Sequence, residues 1–255
     1  MHGEEGKMST IYILWLRQIK RYIRSRSRII GSLGQPVLFF VALGFGFGPI
    51  FKRAGQGSYI EFLAPGIIAM SILFTAIFSG MEMIWDRQFG FLKETLVAPV
   101  PRINIMLGRV LGGATAAVFQ GIIVMIICII IGFHIYSYML LFVSLIFMML
   151  ISLFFTALGT AIASMLSDFQ GFQLIINFIV MPVFFLSGAL FPLNGLPGAL
   201  NFAATIDPLS YGVDGLHSTL TGISHFGAGI DAIVLSVITF VVLIIGSYLF
   251  SRIEV

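Results

Sequence analysis

The chain contains 255 residues, of which 58% are hydrophobic and only 10% charged, and its mean hydropathy is +1.06. Because soluble domains carry about 25% charged residues, this composition excludes a soluble globular protein and indicates an integral membrane protein. The formal net charge of +3 does not point to a nucleic-acid partner. Long apolar runs without period-two alternation favour helices over a β-barrel. The single cysteine, Cys128, lies within such a run, where a packing role is expected for its thiol.

The first 28 residues contain seven of the fourteen Lys and Arg residues. On a helix, a set of apolar side chains that includes Trp15 falls on one face, whereas Arg17, Arg21 and Arg24 fall on another. A basic amphipathic helix with an aromatic residue on its apolar side is typical of the membrane interface. The pattern therefore predicts an interfacial N-terminal helix, with an ordinary positively charged flank of the first span as the alternative.

Six apolar segments follow that are long enough, at about 20 residues, to cross a bilayer. They comprise residues 29–51, 62–85, 110–133, 139–166, 172–190 and 230–250. The sequence thus predicts an all-α polytopic membrane protein with one transmembrane domain over residues 1–255. Small residues recur at helical spacing and predict close helix packing, as in Gly108/Gly112 and Gly113/Ala117/Gly121.

The distribution of basic residues predicts the orientation of the chain. All but two of the Lys and Arg residues lie before the first span, in the 86–109 segment or in the C-terminal tail; the exceptions are Lys52 and Arg53. Cytoplasmic loops retain such residues because moving them across the membrane is costly. We therefore predict that both termini are cytoplasmic.

The 86–109 segment is the longest polar interruption between two spans. It starts with a plausible N-cap residue, places apolar residues at helical spacing and stops before two prolines; these residues are Asp86, then Phe89, Leu92 and Leu96, then Pro99 and Pro101. The pattern predicts a short amphipathic helix over residues 86–97 at the membrane surface. It leaves open whether the apolar stripe rests on lipid or binds a soluble partner.

The outer segment 191–229 has no Lys or Arg and several helix breakers, among them Pro192, Pro197 and Pro208. Between them lie apolar pieces, residues 199–206 and 209–216, that are too short to span a bilayer. Such pieces commonly re-enter the membrane or lie on its surface. We predict short helices that dip into the outer leaflet near an exit for substrate.

Motifs for catalysis are missing from the sequence. None of the four lysines has the glycine frame of a GxxxxGK[ST] phosphate loop, so the chain cannot bind ATP by that route. There is no HExxH motif and no Cys/His cluster with metal-ligand spacing. An intramembrane serine protease would need glycine two residues before Ser187, where Phe185 stands, and a histidine within a span. The sequence therefore predicts no catalytic residue and no metal ligand.

Ionisable and polar residues within the spans are few. Glu82 lies near the inner end of the second span, and we interpret it as a carboxylate paired with a nearby cation rather than as part of a proton relay. The deeper polar residues are interpreted as interhelical hydrogen-bonding groups rather than substrate contacts; they are Gln35, Gln120, Gln173 and Asn177. An ion-coupled transporter would lack its usual chain of buried carboxylates.

Two blocks of sequence resemble a known family. The first, DRQFGFLKETL at residues 86–96 with APVPR at 98–102, is similar to the cytoplasmic segment of type-2 ABC exporter permeases, which include drug-resistance, nodulation-factor and polysaccharide exporters. The second, FLSGALFP at residues 185–192 with DPLSY at 207–211, resembles the outer signature of that family. With the six spans, the resemblance covers essentially the whole chain. His217 is a departure, since many relatives carry Arg there.

The resemblance implies a permease of the prokaryotic cytoplasmic (inner) membrane that associates with two copies of a separate ABC ATPase. ATP and Mg would then bind the partner ATPase, and this chain would bind no cofactor. Helix 86–97 would be the coupling helix, with three apolar residues packed on the ATPase and charged residues around them: Phe89, Leu92 and Leu96, then Asp86, Arg87, Lys93 and Glu94.

The resemblance also implies a dimer, formed with an identical copy or a close paralogue, whose interface is the translocation path. The residues expected at that path are Gln35, Phe39, Asn177 and Phe184, and those of an outer gate are Pro192, Pro197, Asp207, Pro208 and Tyr211. The Phe- and Met-rich spans suit an amphipathic, lipid-linked, drug-like or glycan substrate. An ion-coupled secondary transporter and an intramembrane enzyme are the alternatives.

Overall fold

The computed structural model describes residues 2–55, 57–91, 100–193, 195 and 197–253, with side chains from residue 10 onward. The secondary structure of these residues is helical and includes no strand, which confirms the predicted all-α class. The helices are α1 His2–Arg24, α2 Arg26–Arg53, α3 Tyr59–Ser79, α4 Met81–Gln88, α5 Arg102–Ile131, α6 Leu141–Met165, α7 Phe169–Leu186, α8 Gly198–Ile206, α9 Pro208–Leu220 and α10 Ala228–Ser251. A short 3₁₀ turn, Tyr138–Leu140, precedes α6.

Six helical stretches of the described chain are long and apolar enough to cross a membrane, as predicted. They are Arg26–Arg53, Tyr59–Gln88, Arg102–Ile131, Tyr138–Met165, Phe169–Leu186 and Ala228–Ser251. The third begins earlier than predicted because Pro101 precedes its first turn, where a proline ring is tolerated. The fifth ends earlier than predicted because Gly188 adopts a φ of 77° just beyond Leu186.

Helix α3 lies at the centre of the bundle. In an apolar window of 18 residues within the stretch formed by α3 and α4, 72% of the residues are buried, against 17% in the same length of α2, 22% in α7 and 17% in α10. Its buried side chains pack between α2, α5 and α6. The outer faces of α2, α7 and α10 are therefore the surfaces available to lipid or to another chain.

Small residues allow two helices, α5 and α6, to approach α3 and its junction with α4 closely. A Cβ added to Gly159 of α6 would overlap the carbonyl oxygen of Ile77, and one added to Gly80 would overlap that of Gly159. On α5, a Cβ at Gly113 would lie 2.5 Å from Ser79 Oγ, and one at Gly121 would lie 2.6 Å from Ile72. The close packing predicted from the small-residue spacing is confirmed.

Helix α1 packs along the first half of α5. A Cβ added to Gly108 would lie 2.8 Å from Leu14 Cβ, and one added to Gly112 would lie 2.5 Å from Gln18 Cβ. Trp15 Nε1 donates a hydrogen bond of 3.1 Å to Thr115 Oγ1. The predicted N-terminal helix is thus present and its apolar side contacts protein; its position at the membrane surface stays a prediction.

The outer segment forms two short helices, α8 and α9, close to the two apolar pieces of the sequence. Asp207 caps α9, since the Leu209 N–H donates to its Oδ1 over 2.9 Å, and Pro208 occupies the first turn. The prolines and the cap therefore determine where these helices begin. Their depth in the membrane stays a prediction.

Candidate functional site

A network of ion pairs surrounds Asp86 at the end of α4. Asp86 is 3% exposed, and its Oδ2 accepts a hydrogen bond of 2.6 Å from Arg109 Nη2 of α5, which is itself 6% exposed. On α1, Arg21 Nη1 lies 3.4 Å and Arg17 Nη2 lies 3.8 Å from Asp86 Oδ1. The predicted N-cap role is wrong, because the second span continues to Gln88 and Asp86 lies inside its last helix.

Glu82 extends this network by one helical turn. Its carboxylate contacts Arg28 at the start of α2 and lies 3.6 Å from Arg21 Nη1. The interpretation of Glu82 as a carboxylate paired with a cation is confirmed. Together Glu82 and Asp86 connect α1, the start of α2, α4 and α5, so that four guanidinium groups surround two carboxylates. This arrangement holds the basic end of α1 against the bundle.

The predicted coupling helix does not begin at Asp86. Helix α4 ends at Gln88, Phe89 takes the C-cap position and Gly90 adopts a φ of 82°, the left-handed conformation that commonly ends a helix. Leu92, Lys93, Glu94 and Leu96 lie outside the described residues. Any coupling helix therefore starts after Gly90, and the glycine within the sequence pattern was the signal for that break.

The structure brings the start of the predicted docking segment next to α1. A groove of about 900 Å³ lies between α1 and the end of α4, and its lining includes Lys20, Arg24, Trp85, Phe89 and Phe91. Phe89 is 73% exposed and Phe91 51%. Arg17 and Arg21 also border this groove. Exposed aromatic residues beside basic ones make a surface suited to a protein partner.

The remaining predicted docking residues differ in exposure. Arg87 is half-buried, and its Nη1 donates to the Leu166 carbonyl over 3.5 Å, at the link between α6 and α7. Asp86 is buried, so it can act on a docked partner only through the arginines that it binds.

A second cavity, of about 760 Å³, lies between α1, α2, α3, α4 and α5. The ion-paired residues Arg21, Arg28 and Glu82 line one part of it, and Phe74 and Phe78 line another. Gln35, predicted at the translocation path, also lines this cavity. Phe39 is half-buried against the hydrophobic core.

Helix α7 places only one of its two predicted path residues on the surface. Asn177 is exposed, as are Gln173 and Phe185, whereas Phe184 is buried within the chain. The expectation that Phe184 faces a second subunit is therefore corrected. It belongs to a row at four-residue spacing that packs inward, formed by Phe172, Ile176, Val180 and Phe184, and that spacing was the signal in the sequence.

Of the predicted outer-gate residues, Asp207, Pro208 and Tyr211 lie at the junction of α8 and α9. Tyr211 donates a hydrogen bond of 2.7 Å to the Thr205 carbonyl. Burial raises the pKa of the Asp207 carboxyl to about 7. Pro192 is half-buried and Pro197, at the start of α8, is exposed. The hydrogen bond from Tyr211 thus joins the start of α9 to the end of α8.

Two further outer residues were not singled out as structural anchors from sequence. Asp214 accepts backbone hydrogen bonds from His225 at 2.7 Å and Phe226 at 2.7 Å, and one from Ser224 Oγ at 3.0 Å, so it holds the loop before α10. His217 is buried with its ring centroid 4.9 Å from that of Phe62, and burial lowers its pKa to about 4. Neutral His217 therefore does not supply the positive charge of an Arg.

Gln120 forms the interhelical hydrogen bond that was predicted for it. Its Oε1 accepts a hydrogen bond of 2.5 Å from the Tyr22 hydroxyl of α1. Within the described residues, no group of three or more His, Cys, Asp or Glu side chains could hold a metal ion. The features of the described residues that remain as candidates for a functional role are the ion-pair network at the end of α4, the groove and cavity beside it, and the outer helices α8 and α9.

Six spanning helices with a charged network at one end define a polytopic membrane protein. Residues 9–221 match the family described as ABC-2 type transporter. The chain is 28% identical over 213 residues to nodulation protein J of Rhizobium leguminosarum bv. trifolii, covering 83% of this chain and 78% of that protein. It is 28% identical over 209 residues to nodulation protein J of Rhizobium meliloti (strain 1021), covering 80% and 79%.

A third relative is the inner membrane transport permease YadH of Escherichia coli (strain K12), 27% identical over 217 residues that cover 83% of this chain and 82% of that protein. The chain belongs to the ABC-2 type transporter family, and the predicted resemblance to its permeases is confirmed. It is accordingly a multi-pass membrane protein with a transport function.

Proposed function

We propose that this chain is the permease subunit of an ATP-driven exporter. It works as a dimer, with an identical copy or a close paralogue, and carries two copies of a separate ABC ATPase that bind ATP and Mg. Both termini are cytoplasmic, in the inner membrane of a prokaryote. Alternating access at the dimer interface moves an amphipathic, lipid-linked, drug-like or glycan substrate outwards. The observation that carries the proposal, beside the family membership, is the exposed aromatic and basic groove between α1 and the end of α4.

The groove supports a docking role because it is joined directly to the helices that would move. Phe89 and Phe91 supply exposed apolar area, while Lys20 and Arg24 supply charge at its border. Asp86, which lines the same groove as Phe89, is bound to α5 through Arg109 and to α1 through Arg21. A partner that binds in this groove and moves its lining residues would therefore move α1, α4 and α5 together.

Exposed polar side chains on spanning helices support the dimer. Gln35 of α2, with Gln173 and Asn177 of α7, is exposed on the single chain. Polar groups that face hydrocarbon are costly unless they find partners. A second subunit over α2 and α7 supplies such partners, in agreement with the low burial of those two helices.

Leu92→Asp tests the docking role. In the proposed docked state Leu92 would be buried against the ATPase, and loss of such a contact costs about 1.5–3 kcal/mol. The added carboxylate is disfavoured in an apolar contact, so we expect substrate-stimulated ATP hydrolysis and transport to fall about tenfold or more. The measurement is ATPase activity of the permease–ATPase complex in proteoliposomes. The matched control is Met139→Asp, at an exposed residue of the opposite end, which should retain both activities. Unchanged coupling in Leu92→Asp would remove the docking role.

A cysteine at Asn177 tests the dimer face. In a background with Cys128→Ser, which removes the single native thiol, Asn177→Cys should form disulfide-linked dimers in membranes under mild oxidation. Ile130→Cys is the control, since Ile130 is 78% exposed on α5, away from the proposed face. Non-reducing electrophoresis reads the outcome. Equal cross-linking at both positions, or none at position 177, would contradict the proposed interface.

The two alternative functions predict different requirements. An ion-coupled transporter would accumulate substrate in response to a proton gradient without nucleotide. An intramembrane enzyme would convert substrate in detergent with neither. Uphill transport by the isolated chain in sealed vesicles would therefore reject the permease proposal.

A further inference from the structure

The cavity between α1 and the first three spans has a charged part and an apolar part. The side chains of Arg21, Arg28 and Glu82 line the charged part. Phe74 and Phe78 line the apolar part, stacked with ring centroids 6.2 Å apart and planes 11° from parallel. Three small residues of α5 also line the cavity, namely Gly112, Gly113 and Ala116. Its volume of about 760 Å³ is within the range of sites that enclose a small organic ligand.

The charged part carries an excess of positive charge. Glu82 contacts both Arg21 and Arg28, and Asp86 is shared between Arg109, Arg21 and Arg17. Four guanidinium groups thus surround two carboxylates, which leaves two positive charges uncompensated among these six residues. The side chains of Arg21 and Arg28 remain 34% and 37% exposed. A guanidinium has five N–H donors, so both residues can bind a further anion.

The two parts together select the class of ligand. A neutral lipid would leave the excess charge unbound, and a small soluble anion would leave the Phe74 and Phe78 surface uncovered. Arginine pairs favour phosphate because their planar donors match its oxygens. We propose that this cavity binds the phosphate headgroup of an acidic amphiphile at Arg21 and Arg28, with the apolar chain of that molecule against Phe74 and Phe78.

This inference rests on the proposed function only for its transport consequence, which is that acidic amphiphiles are the substrate class. Binding itself requires neither nucleotide nor ATPase. The ligand is a phosphate ester on an apolar chain, and either a membrane phospholipid or an exported lipid-linked molecule has that chemistry.

A single tryptophan provides the test. The chain has two tryptophans, and Trp85 lines the cavity whereas Trp15 is bound to Thr115. With Trp15→Phe, the fluorescence of Trp85 is measured in bilayers of phosphatidylcholine that contain brominated phosphatidylglycerol or brominated phosphatidylcholine. Arg21, Arg28 and Glu82 together carry one net positive charge. One such charge contributes about fivefold to the attraction of an anionic lipid, so we expect the acidic lipid to quench as though it bound about fivefold more tightly. Equal quenching by the two lipids would overturn the proposal.

Charge variants of opposite sign show whether the cavity is responsible. Arg21→Gln with Arg28→Gln should abolish the preference, while Lys52→Gln with Arg53→Gln, which removes the same charge from the other end of α2, should keep it. Glu82→Gln should increase the preference about threefold or more, because it removes a competing carboxylate. A purely structural role for these ion pairs predicts no gain in Glu82→Gln, and that result would contradict the site.

Competition identifies the source and tests the need for a chain. Short-chain dihexanoyl-phosphatidylglycerol should displace the brominated lipid, and inorganic phosphate at the same concentration should not. Displacement by inorganic phosphate would overturn the role of Phe74 and Phe78. With the ATPase and ATP present, transfer of labelled phosphatidylglycerol to the outer leaflet identifies the lipid as the transported molecule. Binding without transfer keeps the site and rejects phosphatidylglycerol as the transported molecule. If binding is observed but the experiment with ATPase and ATP shows no transfer, the proposed transport of this lipid is contradicted and the proposed binding site is not.

Discussion

Replacing Asp86 with Asn is expected to destabilise the protein by about 3–5 kcal/mol, the usual cost of removing one partner from a buried ion pair. The neutral side chain keeps the shape of Asp86 but leaves the guanidinium of Arg109, only 6% exposed, without its counter-ion. Arg17 and Arg21 reach water and need no replacement partner. The thermal unfolding midpoint in detergent micelles, together with the yield of inserted protein, measures the effect.

The matched control is Glu82→Gln on the same helix. Its partners Arg21 and Arg28 are each about one-third exposed, so water compensates them and a loss of about 1 kcal/mol or less is expected. A double variant, Asp86→Leu with Arg109→Leu, should recover much of the stability, because neither charge is then left buried. Equal losses in Asp86→Asn and Glu82→Gln would show that burial of Arg109 does not decide the effect.

Replacing Gly159 with Ala should disrupt the contact between α6 and the junction of α3 and α4. The added Cβ would overlap the Ile77 carbonyl oxygen, and a backbone atom cannot move aside as a flexible side chain does. Forcing volume into a close-packed contact costs about 1–3 kcal/mol and more where the backbone must shift, so a loss at or above the upper end is expected. The midpoint of thermal unfolding again provides the measurement.

Gly46→Ala is the control for this substitution. Gly46 lies within α2, and nothing lies within 4 Å of a Cβ built there. Alanine is a better helix former than glycine by about 0.8–1.0 kcal/mol, so this variant should be as stable as the parent or more stable. A loss in Gly46→Ala as large as that in Gly159→Ala would reject the packing explanation.

The spans and their close contacts could be predicted because local composition determines them. Apolar runs of sufficient length fix the six helices, and prolines fix the start of α5 and of the outer helices. The spacing of Gly108 and Gly112 predicted a close helix neighbour. The identity of that neighbour, α1, required knowledge of the fold, since many helices could satisfy the same small-residue stripe.

The predicted N-cap role of Asp86 was wrong because its sequence context fits both an N-cap and an ion-paired residue in a last helical turn. An aspartate before an apolar repeat is a favourable N-cap, and a buried aspartate in a last helical turn needs a cation from elsewhere. The cation here is Arg109, 23 positions further along the chain, and only the packing of α5 against α4 brings it near. Similarly, the anchoring of the 224–227 loop by Asp214 depends on the approach of α9 to α10.

Helix α1 is attached to the bundle mainly through α5, and a single residue of the chain, Ser25, separates it from α2. Trp15 and Tyr22 each bind α5 by a hydrogen bond, to Thr115 and Gln120. Helix α1 precedes the first span in the chain, but its hydrogen bonds attach it to the third span, α5. In the proposed transport cycle, a tilt of α2 would pivot at the backbone of Ser25 and would move Arg28 and Gln35 relative to Arg21, so that it would reshape the cavity that these residues line. On this proposal the position of the first span relative to α1 would control access to that cavity.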